Sequence, residues 1–356
     1  MKKRSLALFL VATLSMGTLI GCGDSDKSGD SNASGSSSES TENNKKGDKI
    51  KIGATIYKYD DNFMSYLRRG IEKAVKSKDV DLIINDSQND QAKQLEQIDT
   101  MIAKGVNVLA INLVDPKAAP SVIEKAKQND LPVVFFNKEP DENVMKSYDK
   151  VWYVGTDSKE SGVIQGKLMI DDWKANPEWD KNGDGKVQYV MLKGEPGHPD
   201  AEARTQYSVE EFKNAGIDTE ELAIDTGMWD AAKATEKMDA WVSKSGEAIE
   251  LVICNNDGMA LGALSSIEKA GYNIPIYGVD AIPEVLEKIK ADKIAGSVLN
   301  DSKGQAEAVV NLAVNVANGK DPLEGTESKL DDKKAVRVPY VGINKANVNI
   351  AEETYK

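Results

Sequence analysis

Histidine and cysteine are scarce in this chain. Its 356 residues include one His, His198, and two Cys, Cys22 and Cys254. The usual zinc sites need several His or Cys ligands, so they are excluded, and two Cys cannot form the disulfide framework of a small secreted domain. Cys254 ends the apolar run 251–254, and we interpret it as a small buried hydrophobic residue.

Several motifs of catalysis and nucleotide binding are also missing. The strand–helix junctions carry neither G-x-G-x-x-G nor G-x-x-x-x-G-K-[ST], so a dinucleotide or P-loop site is not expected. No G-x-S-x-G element of a hydrolase is present. The net charge of −13 makes the chain a poor binder of nucleic acid. No helix-turn-helix or basic region precedes the folded part, which sets aside a DNA-binding repressor.

The N-terminal segment has the composition of a secretory signal. Residues 1–21 begin with MKKR and continue with an apolar stretch that is too short to span a membrane. The signal ends in LIGC, which resembles the lipobox of bacterial lipoproteins and predicts that Cys22 is the lipidated first residue. The alternative is a secreted protein with an incidental Cys. Residues 22–48 have almost no apolar side chains and are predicted to form a flexible tether.

Beyond residue 48, short apolar runs alternate with segments of helical periodicity. One such segment places apolar residues at 63, 67, 71 and 75, on one face of a helix. Regular alternation of strands and helices predicts parallel sheets with helices on both faces. Ten strands are too many for one compact sheet, so we expect two doubly wound lobes with a break near 155–157. The predicted strands are 50–56, 81–84, 106–113, 132–136, 151–154, 187–192, 221–224, 251–254, 274–279 and 295–299.

Polar side chains and two aromatic residues follow the predicted strands. In open parallel sheets, ligands bind beyond the carboxyl ends of the strands. Taken singly, Asp and Asn at these positions are typical of helix N-caps and turns. Taken together, carboxylates, amides and one Arg suit sugar hydroxyls, and aromatic faces suit the C–H faces of a pyranose. The residues are Tyr57, Asp60, Asp61, Asn62, Phe63, Asn137, His198, Asp200, Arg204, Trp229, Asn255, Asn256, Asp257, Asp280, Asn300 and Asp301.

Residues 180–188, DKNGDGKVQ, have the oxygen spacing of a cation-binding loop. A Ca²⁺ ion takes about six to eight oxygen ligands, and the order here follows an EF-hand loop. The twelfth position should be a bidentate Glu but is Met191, inside a predicted strand, so a distant carboxylate would have to close the site. The alternative is a turn that leads into the strand. The loop ligands would be Asp180, Asn182, Asp184, the Lys186 carbonyl and Gln188.

Motifs along nearly the whole folded part resemble the bacterial galactose/glucose-binding proteins of sugar ABC transporters. The similarity covers roughly residues 50–345. Soluble members of that family lack the lipobox and the tether, so this chain is expected to be anchored where they diffuse. The motifs are YKYDDNF, NDSQNDQ, INLVDP, PVVFFNKEP, YVGTDSKESG, LKGEPGHPDAEAR, MWD, KMDAW, NND, GVDA, VLND and VRVPYVG.

The resemblance implies a type I periplasmic-binding-protein fold with a sugar cleft between two lobes. The lobes would comprise 49–155 with 301–336 and 156–300 with 337–356, joined by a three-stranded hinge. Phe63 and Trp229 would sandwich the sugar ring. Glu250 would supply the carboxylate that the calcium loop lacks. The residues implied to hydrogen-bond the sugar are Asp61, Asn137, His198, Asp200, Arg204, Asn256, Asp280 and Asn300.

The function that follows is capture of D-galactose or D-glucose and delivery to the permease of an ABC importer, with a structural Ca²⁺ as the only cofactor. The protein would be a monomer outside the cytoplasm, held by lipid at the outer face of the cytoplasmic membrane. Docking to a chemoreceptor, known for some family members, follows from no motif here. The alternatives are a binder of ribose or xylose, and an extracellular glycosidase that uses two of the carboxylates.

Overall fold

A computed structural model describes residues 49–356 of the chain. The predicted signal peptide 1–21, the lipidated Cys22 and the tether 22–48 lie outside the described residues. Within the described range, every helix is too short or too polar to cross a membrane.

The first sheet has six parallel strands, in the order β11-β5-β4-β3-β1-β2. The second sheet has four parallel strands, in the order β7-β6-β8-β9, and β10 pairs with β12 in an antiparallel ribbon. The strands are β1 (Lys51–Ile56), β2 (Asp81–Asp86), β3 (Val108–Ile111), β4 (Val133–Phe136), β5 (Val151–Gly155), β6 (Val187–Lys193), β7 (Thr219–Thr226), β8 (Leu251–Cys254), β9 (Ile276–Tyr277), β10 (Ser297–Leu299), β11 (Ala335–Arg337) and β12 (Val341–Ile343).

Helices connect most of these strands and cover both faces of each sheet. Most begin at an Asp, Asn or His whose side chain accepts a backbone N–H of the first turn. The helices are α1 (Asn62–Ser77), α2 (Gln91–Ala103), α3 (Ala119–Gln128), α4 (Glu142–Met145), α5 (Ser158–Ala175), α6 (Pro199–Asn214), α7 (Ala231–Ser245), α8 (Asp257–Ala270), α9 (Pro283–Lys290), α10 (Ser302–Ala317) and α11 (Val348–Thr354).

Each sheet is buried between two layers of helices. In the first lobe, built on the six-stranded sheet, Ile52 and Ile56 of β1 face α1 and α10. Leu109 and Ile111 of β3 face the layer formed by α2 and α3. Strands buried on both faces read as nearly continuous apolar runs, which explains the pattern in the sequence. The second lobe, built on the four-stranded sheet, has the same two-sided core.

The chain passes between the lobes three times, at 155–158, 299–302 and 337–341. These passages follow from the sheet order, because β11 joins the first sheet after the second is complete and β12 then pairs with β10. The prediction of parallel-sheet α/β lobes is confirmed. The exact lobe boundaries stay a prediction.

Some local predictions differ from the structure. The short strands β11 and β12 and the helices α4 and α11 were not predicted, because segments of three to seven residues carry too little periodicity. Helix α6 begins at Pro199 and is capped by His198, although Asp is the more typical N-cap residue and Asp200 lies two positions further on. A Pro at the first helical position fixes φ for the helix and needs no N–H partner, which moves the start upstream. Cys254 is fully buried, as predicted.

Candidate ligand-binding site

One cavity lies where the carboxyl ends of the two sheets meet. Its empty volume, which includes space open to solvent, is about 350 Å³. All ten residues predicted to contact a sugar line it, together with Tyr57 and Met64. The lining residues are Tyr57, Asp61, Phe63, Met64, Asn137, His198, Asp200, Arg204, Trp229, Asn256, Asp280 and Asn300.

Asp61 is fixed at the start of α1. One carboxylate oxygen accepts the backbone N–H of Met64 at 2.8 Å, and the other accepts the hydroxyl of Tyr57 at 2.7 Å. Burial raises the pKa of Asp61 above its ordinary value, while these two hydrogen bonds oppose the rise. The carboxylate is therefore held in one orientation, and its remaining acceptor sites are available to the cavity.

Asn137 follows β4 in a left-handed backbone conformation with φ of 63°. Asn tolerates this region better than most residues. Its carbonyl accepts the hydroxyl of Tyr153 at 2.8 Å, and its side-chain oxygen accepts the amide of Asn112 at 3.1 Å. This pairing orients the amide of Asn137, because its oxygen is the paired atom and its NH₂ remains a donor.

His198 caps α6 from the second lobe. Its Nδ1 accepts the backbone N–H of Asp200 at 3.1 Å, which assigns the proton of a neutral imidazole to Nε2. Burial lowers the pKa of His198 to about 3. The ring is thus neutral across the physiological range, and it lies edge-on to Trp229 with the ring centroids 5.1 Å apart.

Arg204 is the centre of a buried polar network. Its guanidinium donates to Ser161 Oγ at 3.2 Å, to the Asn255 carbonyl at 2.8 Å, to Asp200 at 3.2 Å and to the Tyr340 hydroxyl at 2.9 Å. Burial lowers its pKa, but Tyr340, Asp200 and other nearby carboxylates outweigh this effect and raise it. The charge is therefore permanent, and one of about five N–H donors is left for a ligand.

The position of Trp229 depends on a glycine. Met228 and Trp229 both have positive φ, 53° and 64°, a conformation that costs free energy in non-glycine residues. Neighbouring hydrogen bonds hold it, including one from the amide of Asn256 to the Trp229 carbonyl at 3.2 Å. A Cβ on Gly194 would lie 2.1 Å from the indole, so only glycine lets the ring lie against the backbone after β6.

Three polar residues complete the wall on the second lobe. Asn256 caps α8 through a bond from the Met259 N–H at 3.0 Å. The amide of Asn300 donates to Asp280 at 3.1 Å. Burial raises the pKa of Asp280 to about 7. Asp280 is therefore an acceptor whose ionised form is disfavoured until a ligand donates hydrogen bonds to it.

The arrangement suits a neutral, polyhydroxylated ring. Carboxylates and amide oxygens accept from hydroxyl groups, whereas Arg204, His198 and the Asn137 amide donate to them. Phe63 comes from the first lobe and Trp229 from the second, so an aromatic residue stands on each side of the cavity. Both lobes contribute polar groups, and a ligand that contacts both sets favours the closed arrangement.

The predicted cation loop folds around its own carboxylates. Asp180 accepts the backbone N–H groups of residues 183, 184 and 185 at 2.9–3.2 Å, and Gly183 and Gly185 have positive φ. Glu250 is 1% exposed and reaches the loop from the start of β8. It accepts the backbone N–H of Lys181 at 2.7 Å and that of Gln188 at 3.1 Å.

Two features of this loop bear on the prediction of a Ca²⁺ site. Gln188 is 3% exposed, and its Oε1 is buried and has no hydrogen-bond partner among residues 49–356, as a free ligand oxygen would. Burial raises the pKa of Glu250, and the nearby charge of Asp180 raises it further. A cation would offset both effects. Among the described residues, no three His, Cys, Asp or Glu side chains converge as metal ligands, so a cation here would also need amide and carbonyl oxygens.

Comparison with known proteins identifies the class. A match to the periplasmic binding protein domain spans residues 52–321, more than half of the chain. The chain belongs to the periplasmic binding protein family, as the sequence motifs predicted. Members of this class bind a ligand and do not transform it, so the glycosidase alternative is set aside.

Individual relatives agree with this assignment. The chain is similar to the D-galactose/methyl-galactoside binding periplasmic protein MglB of Haemophilus influenzae, with 57% identity over 300 residues that cover 84% of this chain and 90% of the relative. It is 27% identical to the ribose import binding protein RbsB of Bacillus subtilis, over 78% of this chain and 84% of the relative. A solved ABC transporter solute-binding protein from Bacillus halodurans with bound myo-inositol aligns with a TM-score of 0.72 and 26% identity, over 86% of this chain and 98% of that one.

Two lining residues were missing from the predicted ligand contacts. Tyr57 lies four residues before Asp61, and its hydroxyl holds that carboxylate. Met64 follows Phe63 on α1 and is buried. The position of Tyr57 directly after β1 was a usable signal. Met64 gave none, because an apolar residue in the first turn of an amphipathic helix is typical of a core residue.

Proposed function

We propose that this protein captures D-galactose or D-glucose in the cavity and delivers it to the permease of an ABC importer. The observation that carries the proposal is the convergence of the ten predicted contact residues around one cavity at the carboxyl ends of the two sheets. The similarity to the galactose-binding relative supports the choice of sugar. A ribose import binding protein is also similar to this chain, and binding of ribose or of xylose is the competing assignment.

Capture would proceed by closure of the lobes. In the proposed complex, Phe63 and Trp229 cover the two faces of the pyranose, where aromatic surfaces match C–H groups. Asp61 and Asn137 hold hydroxyls from the first lobe, and Arg204 with its neighbours holds others from the second. Because the sugar gains contacts from both lobes only when they meet, its binding shifts the population toward the closed state.

A titration panel tests the ligand assignment. Calorimetry with D-galactose, D-glucose, D-ribose and D-xylose should give one-to-one binding of the first two. We expect a Kd of roughly 1 µM or tighter, equivalent to about −8 kcal/mol. Tight binding of ribose or xylose with no binding of either hexose at millimolar concentration would contradict the proposal.

We also propose that lipid on Cys22 holds the protein at the outer face of the cytoplasmic membrane. The support is the LIGC sequence at the end of the signal and the polar segment 22–48 that follows. Cys22→Ser should move the protein from the membrane fraction to the medium. Retention of the Cys22→Ser variant on the membrane would refute lipid anchoring.

Finally, we propose that Ca²⁺ binds the loop as a structural ion. The ligands would be Asp180, Asn182, Asp184, the Lys186 carbonyl, Gln188 and, from the distant segment before β8, Glu250. An ion bound only to the folded state stabilises it by mass action, by about 2.7 kcal/mol at 100 times the Kd. The unpaired Oε1 of Gln188 supports this assignment.

Chelation tests the calcium proposal separately from sugar binding. EDTA should lower the melting temperature and Ca²⁺ should restore it, while the sugar Kd at 25 °C changes little. Glu250→Gln should reproduce the effect of EDTA, because it removes the bidentate carboxylate and its charge. A melting curve that does not move after exhaustive dialysis against EDTA would mean that the loop is only a turn.

A further inference from the structure

Lys138 is a buried cation directly beside the ligand cavity. It follows Asn137 after β4 in the first lobe, and its side chain is 1% exposed. Its ammonium donates to the Val114 carbonyl at 2.8 Å and to Glu195 Oε2 at 2.7 Å, and it lies 4.3 Å from the centroid of the Tyr57 ring. Neither Lys138 nor Glu195 lines the cavity.

The three partners of this cation do not belong to the same lobe. Val114 and Tyr57 follow strands of the first sheet and stay with Lys138 whatever the second lobe does. Glu195 follows β6 of the second sheet and is partly exposed, at 26%. When the lobes separate, the ammonium keeps Val114 and Tyr57 and loses Glu195, the carboxylate to which it donates.

The burial of Lys138 makes this carboxylate important. Removal from water lowers the pKa of Lys138, and Glu195 is the strongest of the opposing influences, ahead of Asp61 and Asp115. A buried charge that loses its partner is costly, and the Val114 carbonyl and the Tyr57 ring hold this ammonium on the first lobe when Glu195 is withdrawn. The pair therefore stabilises the closed arrangement, with the first-lobe contacts holding the ammonium in place for Glu195.

We propose that Lys138 and Glu195 form a latch between the lobes that sets ligand affinity and release through the closure equilibrium, without contact with the ligand. The inference rests on the proposed sugar binding for its main readout. If the latch is lost, the competent closed state is less populated, and the apparent Kd rises by the same factor. Because a contact between docked surfaces acts mainly on dissociation, the release rate should rise rather than the association rate fall.

Charge-removing variants on either side test the latch. Glu195→Gln is the main variant because this residue is partly exposed on a loop, and Lys138→Met tests the other side. We expect each to weaken hexose binding by about 10- to 100-fold, chiefly through faster release in stopped-flow experiments. The double variant should bind no more weakly than the weaker of the two single variants, since both remove one interaction.

A matched control separates the latch from a general effect of charge. Lys125 and Asp99 form an ion pair of 2.6 Å between α3 and α2, within the first lobe. Asp99→Asn removes one carboxylate from an intralobe pair and should leave Kd and release rate unchanged. Changes below twofold in both latch variants, or an additive double variant, would overturn the proposal.

A second measurement, made on the ligand-free protein, tests the latch whichever sugar the protein binds. Spin labels on the exposed residues Lys127 and Glu236, on α3 and α7, report the distance between lobes. In the ligand-free protein, Glu195→Gln should deplete the short-distance population relative to wild type. Failure of wild type to bind any hexose would refute the proposed function alone, and identical distance distributions in wild type and Glu195→Gln would then refute the latch.

Discussion

Replacing Gly194 with alanine tests whether the position of the Trp229 indole determines ligand affinity. The added Cβ would lie 2.1 Å from Cη2 and 2.2 Å from Cζ2 of the ring. Non-bonded carbons prefer separations of about 3.5 Å or more, so the ring would have to retreat by about 1.4 Å. Hydrogen bonds fix the backbone of Gly194. Its N–H donates to the Asn255 side chain at 3.0 Å, and its carbonyl accepts the Thr226 hydroxyl at 2.6 Å.

The indole is therefore the part that moves, and the cavity loses its fit on that side. A displaced indole loses contacts with the ligand that the free protein does not lose, and we expect Kd to rise by roughly 10- to 100-fold, equivalent to about 1.4–2.8 kcal/mol. Calorimetry with D-glucose measures the effect. Gly53→Ala is the control, because its Cβ would meet Met101 and Val106 in the core of the first lobe and should lower stability alone. A Gly194→Ala protein whose Kd stays within twofold of wild type would refute the reasoning.

Two further predictions concern charges in the cavity. Burial raises the pKa of Asp280 to about 7. The folded protein therefore binds more protons than the unfolded chain between about pH 4 and 7, and this group makes the free energy of unfolding fall as pH rises through that range. Sugar hydroxyls that donate hydrogen bonds favour the ionised carboxylate of Asp280, so sugar affinity should weaken below pH 7 by up to about tenfold per pH unit. Calorimetry at pH 5.5 and pH 8 measures this change. If the same pH dependence persists in Asp280→Asn, another group causes it. Arg204→Lys should lower the melting temperature and weaken sugar binding by about 2 kcal/mol or more, because one ammonium cannot replace four separately directed hydrogen bonds. A variant with the melting temperature and the sugar Kd of wild type would contradict the proposed role of this hydrogen-bond network.

Position after a strand was enough to predict most of the candidate site. The carboxyl ends of parallel strands meet at one edge, so Asn137 after β4 and Asp280 after β9 could be assigned to a common region before any coordinates. The same argument applies to Asp61 at the start of α1, since an Asp before an amphipathic helix is a cap wherever the helix lies.

Contacts between distant segments were beyond this argument. Nothing in the sequence near Gly194 indicates that the Trp229 indole lies against it, because the two are brought together by β6 and the turn after β7. The contacts of Lys138 could not be predicted from the sequence either. A lysine after a strand is usually solvated, and its burial depends on Val114 and Glu195, which are 24 and 57 residues away.

A crystal structure of the protein with D-glucose or D-galactose tests the central claim most directly. The account predicts one hexose in the cavity, with its ring between Phe63 and Trp229 and its hydroxyls bonded to Asp61, Asn137 and Arg204. It also predicts that Lys138 and Glu195 are in contact in that complex. A hexose bound outside this cavity, or a cavity that stays empty in crystals soaked at millimolar sugar, would contradict the account.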